Sequence, residues 1–84
     1  GAFMPTAVQH VLERFPQHAT LISELLAVSE EFRSLCEDYA LVLETIARLE
    51  SQSRPDPDGA LEEYRIHQVE LELDIAEALT GGLP

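Results

Sequence analysis

Apolar side chains recur at alternating three- and four-residue spacing through Leu21, Leu25, Val28, Phe32, Leu35, Tyr39, Val42, Ile46 and Leu49. Such spacing returns residues to one side of an α-helix, so it predicts a long packed helix over about 16–51. The segment Gln52–Gly59 then holds two prolines, two aspartates and a glycine, which predicts an interhelical turn over 52–58. Beyond it the stripe resumes at Leu61, Tyr64, Gln68, Leu71, Ile75 and Ala78, predicting a second helix over about 59–79, capped by Asp58 and ended by Gly81-Gly82. Val69–Ile75 alternates like a strand, but its flanks favour helix and no second strand pattern exists to pair with it.

The two stripes agree on one register. If Leu49 meets Leu61 across the turn, antiparallel packing sets Ile46 against Tyr64, Val42 against Gln68, Tyr39 against Leu71, Leu35 against Ile75 and Phe32 against Ala78. The same register brings Arg48 toward Glu62 and Arg33 toward Glu77. The expected fold is therefore all-α: an antiparallel, coiled-coil-like helical hairpin whose seam is Phe32, Leu35, Tyr39, Val42, Ile46, Leu49, Leu61, Tyr64, Gln68, Leu71 and Ile75. A polar residue such as Gln68 in a seam can set register or oligomeric state.

Two features lie outside the hairpin. Thr6 can cap a short helix over 7–15 with Val8, Val11, Leu12 and Phe15 on one side, and Pro16 suits the first turn of the next helix. Ser29-Glu30-Glu31-Phe32 resembles a helix start, with a serine cap and carboxylates in the first turn. Because the apolar spacing runs through it without slipping, a continuous or gently bent helix is expected there. Gly1-Ala2-Phe3 before Met4 reads as a remnant of tag removal, leaving 4–84 as one helical domain.

A first helix roughly 50 Å long would overhang a second of about 30 Å. Leu21, Ile22, Leu25, Leu26 and Val28 then lack a partner within the hairpin, and Ile66, Val69 and Leu73 point away from the seam. Burying each large apolar side chain is worth roughly 1.5–3 kcal/mol, so these eight residues form the expected interaction surface. The N-terminal segment folding back covers some of them. Self-association into a dimeric four-helix or larger helical bundle covers the rest.

Charge narrows the partners. Sixteen acidic residues face five basic ones, all arginine and none adjacent to another, for a net charge of −11 in 84 residues. Without clustered cations the chain is not expected to bind nucleic acid or an anionic membrane. No apolar run approaches the roughly 20 residues of a membrane span, and the single cysteine, Cys36, excludes an internal disulfide. A cytoplasmic protein is expected, its partners being itself and another protein.

Candidate chemistry is sparse. Glu63 and His67 are four apart on one helical face, the kind of pair that builds carboxylate-histidine iron or zinc sites in helical bundles, although the usual spacing is three. Cys36 beside Glu37 and Asp38 reads as a packing residue with a raised pKa, not as a nucleophile. No Ser-His-Asp order, glycine-rich phosphate loop or paired CxxC is present, and no cofactor or catalytic residue is expected.

Arg14-Phe15-Pro16-Gln17-His18, Phe32-Arg33-Ser34-Leu35 followed by Asp38-Tyr39, Ile46-Ala47-Arg48-Leu49-Glu50 and the closing Leu71, Asp74 and Ile75 resemble, in order and spacing, the YdcH-like family of small bacterial two-helix proteins. The resemblance covers about 15–79 and implies a helical hairpin without an assigned activity. It departs at the last helix, where the family's several basic residues are reduced to Arg65. The function expected is non-enzymatic: a self-associating hairpin working through protein–protein contacts as an adaptor, assembly factor or small regulator. A metal-binding bundle is the alternative.

Overall fold

The computed structural model describes residues 5–52 and 59–81, and these form helices and their connections only. Helix α1 spans Pro5–Arg14, α2 Ala19–Val28, α3 Glu30–Ser51 and α4 Ala60–Leu79, with a single 3-10 turn, Pro16–His18, between α1 and α2. The expected tag remnant, most of the expected turn and the Asp58 cap lie outside the described residues.

Proline decides the first boundary. Phe15 precedes Pro16, which disfavours the helical region for it, and its backbone sits at φ −128° and ψ 60°. Helix α1 begins at Pro5, which places Thr6 inside the helix rather than at its cap. Pro5 at the first helical position loses no hydrogen bond there.

The expected long helix is broken at Ser29. Its backbone is extended, φ −122° and ψ 113°, and its hydroxyl accepts a hydrogen bond from the Phe32 amide at 3.1 Å. Glu30 and Glu31 occupy the first turn of α3, where carboxylates complement the helix dipole. On the other side, Arg33 reaches back and donates to the Leu26 carbonyl at 3.2 Å, satisfying an acceptor at the end of α2. Both new ends are therefore capped locally, and the break costs little. At about 1.5 Å per residue α3 is roughly 33 Å long and α4 roughly 30 Å, so the overhang disappears. The molecule measures 42 × 28 × 21 Å.

Helix α3 is the spine. Helix α4 packs along it in the opposite direction, with Tyr39 meeting Glu72 and Glu50 meeting Arg65. Helix α1 packs on another side of α3, also reversed, since His10 lies by Glu44 while Arg14 reaches the level of Tyr39 and Glu72. One core joins all four helices: Ala7, Val11 and Phe15 from the N-terminal segment, Ile22 from α2, Phe32, Cys36, Tyr39, Ala40, Val42 and Ile46 from α3, and Leu71, Ile75 and Leu79 from α4. Cys36 and Ala40 lie on the i, i+4 row that continues to Glu44, the residue facing α1. Both are buried in the core.

Helix α4 starts after Gly59, whose φ of +69° favours glycine. It ends at Leu79 before Gly81, at φ +76°.

Candidate functional surfaces

The structure divides the expected interaction surface. Ile22 is fully buried and belongs to the core, while Leu21, Leu25 and Leu26 are half-buried and packed against it. The break at Ser29 separates α2 from α3, and Ile22 is the α2 side chain that is fully buried. Val28 is left 80% exposed. The remaining members, Ile66, Val69 and Leu73 on α4, are 56%, 53% and 65% exposed.

On a helix turning about 100° per residue, Ile66, Val69 and Leu73 form one strip opposite Leu71 and Ile75. A shallow groove of about 490 Å³ runs beside its first half, lined by Glu62, Arg65, Ile66, Val69 and Glu70. Arg65 is held across the helix interface by Glu50 at 2.6 Å. Among the described residues no cation lies within ion-pair distance of Glu62, Glu63, Asp74 or Glu77. The strip is thus apolar in the middle, with Glu62 at its start, Glu70 and Glu77 along one edge and Arg65 on the other.

The expected seam residues differ in burial. Phe32, Tyr39, Val42, Ile46, Leu71 and Ile75 are buried, Leu35, Leu49, Leu61 and Gln68 are half-buried, and Tyr64 is 37% exposed. The flanking charges pair differently from the expectation. Arg33 turns to the Leu26 carbonyl and to Glu30 at 3.9 Å instead of Glu77, and no ion pair joins Arg48 to Glu62 among the described residues.

A polar junction that the periodicity did not reveal ties three helices together. One oxygen of Glu72, Oε2, accepts from the Tyr39 hydroxyl at 2.7 Å and from Gln68 Nε2 at 3.1 Å, and lies 3.4 Å from Arg14 Nε. The Arg14 guanidinium also sits over the Phe15 ring, 4.9 Å from its centre. Gln68 therefore acts here as a donor that positions Glu72. Burial, followed by the hydrogen bond and charge of Glu72, pushes the Tyr39 hydroxyl pKa well above its ordinary value, against the opposing pull of Arg14 and Gln68. The signals were a polar residue in the seam and a carboxylate one turn after it.

Other candidate groups are dispersed. Burial first, and the charge of Glu37 second, push the Cys36 thiol from 9.0 up to about 12, which makes it a poor nucleophile. His10 Nε2 is buried without a hydrogen-bond partner, 3.9 Å from Glu44 Oε2. Glu63 and His67 are both exposed, and His67 Nδ1 lies 3.5 Å from Glu70. Among the described residues no three His, Cys, Asp or Glu side chains are grouped so as to hold a metal ion. A second groove, about 810 Å³, follows the α2–α3 break, with Leu25, Phe32 and Leu35 among its lining and Glu31, Asp74 and Glu77 at its rim.

Comparison with protein families, curated proteins and solved structures finds no match to this chain. The YdcH-like resemblance accordingly rests on the quoted residues alone. Among the described residues no helix is long and apolar enough to cross a membrane.

Proposed function

We propose that the protein is a non-enzymatic helical module that works through protein–protein contact, with the outer face of α4 as its contact surface. The observation that supports this reading is the exposed strip of Ile66, Val69 and Leu73 on a helix whose opposite face is already buried. An apolar strip at three-four spacing is the form in which helices recognise other helices. In this reading α3 and α4 are a coiled-coil-like hairpin of the YdcH-like kind, and adaptor, assembly factor or small regulator are the roles that such a surface serves.

The test is site-specific crosslinking in the cells that make the protein. A photo-crosslinking residue in place of Val69 should give discrete protein adducts, and one in place of the exposed Glu13 on α1 should give none. Uniformly unmodified protein at both positions would overturn the reading.

The same strip supports self-association as a second reading, because Ile66, Val69 and Leu73 repeat at the spacing that pairs identical helices into a dimeric bundle. Sedimentation between about 1 and 100 micromolar brackets the relevant affinities. A dimer that Val69→Ser and Leu73→Ser dissociate would assign the strip to a second copy, and a monomer throughout would remove this reading.

A further inference from the structure

We infer that the occupant of the α4 outer face is a basic amphipathic helix of a different protein. The inference rests on the reading of that face as a contact surface and adds the chemistry of the partner.

The strip alone does not choose an occupant; its edges do. Glu62 and Glu70 line the groove beside Ile66 and Val69, and Glu77 lies one turn beyond Leu73 toward the same edge as Glu70. Among the described residues the one cation at the strip, Arg65, is held by Glu50 of α3 and so answers a charge inside the molecule. Past that edge, Asp74 and Glu77 also border the groove at the α2–α3 break, together with Glu31 and Asp38. That groove also holds Arg33, which lies 3.9 Å from Glu30.

A second copy of this chain fits that surface poorly. In an antiparallel pair each edge of a helix meets the same edge of its twin, which sets Glu70 and Glu77 against their own copies. In a parallel pair the acidic edge meets the edge that holds Arg65, whose charge is already engaged by Glu50. Either way two chains of net charge −11 are brought together. A helix with its own apolar stripe and with lysine or arginine beside it instead meets apolar with apolar and sets its cations against Glu70 and Glu77, and the field of the acidic chain steers it in.

The test uses the full chain and labelled peptides of about five helical turns. One carries leucine at three-four spacing with lysine beside it, one replaces each lysine by glutamate, and one keeps the basic composition with the leucine spacing scrambled. Binding is read by fluorescence anisotropy at low and high salt. The basic amphipathic peptide should bind in the micromolar range and weaken as salt rises. Val69→Ser with Leu73→Ser should weaken it about tenfold or more, as should Glu62→Gln with Glu70→Gln and Glu77→Gln. All five positions are exposed, so circular dichroism should show an unchanged fold. Equal binding of the scrambled peptide, binding of the acidic one, or no loss in either variant would overturn the inference, and so would a dimer that the serine variants dissociate. If the basic peptide fails while the Val69 crosslink still forms discrete adducts, the contact surface stands and only its basic partner falls. Failure of both would remove the surface itself.

Discussion

Leu71, Ile75 and Leu79 on the inner face of α4 are 5%, 0% and 4% exposed, whereas Ile66, Val69 and Leu73 on the outer face of the same helix are each more than half exposed. The two sets are alike in size and chemistry, and their local helix is the same. They differ only in what the rest of the chain lays over them. Helix α3 covers the inner set, while α1 and α2 spend their apolar faces on α3 and leave the outer set open. An apolar residue on an amphipathic helix therefore says that something must cover it, without saying whether that is the same chain.

The comparison is broken or upheld most directly by paired truncations. Ile75→Ala should cost about 2–5 kcal/mol in urea unfolding because it leaves a cavity in the core, and Leu73→Ala should stay within about 0.5 kcal/mol. Similar losses at both positions would mean that the outer face is covered in the protein as it exists in solution.

Glu72 sharpens the boundary between the faces, since its side chain is 17% exposed and collects contacts from α1, α3 and α4. Glu72→Leu should cost about 1–3 kcal/mol by stranding the Tyr39 hydroxyl, and Glu72→Gln, which keeps an acceptor, should cost less. Equal costs would mean that charge, not the hydrogen bond, is the stabilising element.

The inner face also predicts an alkaline limit. Cys36 and Tyr39 hold their protons more tightly in the fold than in the unfolded chain, whose thiol titrates near 9.0 and phenol near 10.0. Raised folded-state pKa values contribute stability that is fully present below the unfolded-state values and is lost as pH rises from these through the folded-state ones. The melting temperature should therefore be insensitive to these two groups below about pH 8 and fall from about pH 9 upward. Cys36→Ala should flatten the first part of that fall, and a profile unchanged by it would count against burial of the thiol.

The smallest expected effect lies at the α2–α3 break. Ser29→Ala removes the cap on the Phe32 amide and should cost about 1 kcal/mol. If helicity increases without loss of stability, the continuous helix suggested by the apolar spacing is the preferred state of that segment.

Much of the fold was legible along the chain. Helix ends at Ser51 and Leu79 and the interruption before Pro16 follow from spacing, proline and glycine, all of which act within a few residues. The break at Ser29 was legible in its cap signals and hidden by its periodicity. Leu25, Val28 and Phe32 keep helical spacing whether or not the helix continues, so spacing cannot distinguish one helix from two. The candidate surface was half legible. Val28, Ile66, Val69 and Leu73 are exposed as the unpaired stripe suggested, whereas Ile22 is core. Of the Glu72 junction only Gln68 and the carboxylate one turn after it stand close in the chain, because Arg14 and Tyr39 are brought to the same oxygen from two other helices.

By itself the sequence determined what depends on neighbours: helices rather than strands, the places where proline and glycine end them, which faces are apolar, and a net acid excess. Only the tertiary structure decided which apolar face is consumed internally. That choice depends on how α1, α2 and α4 pack on α3, and these are contacts between segments that local spacing does not encode.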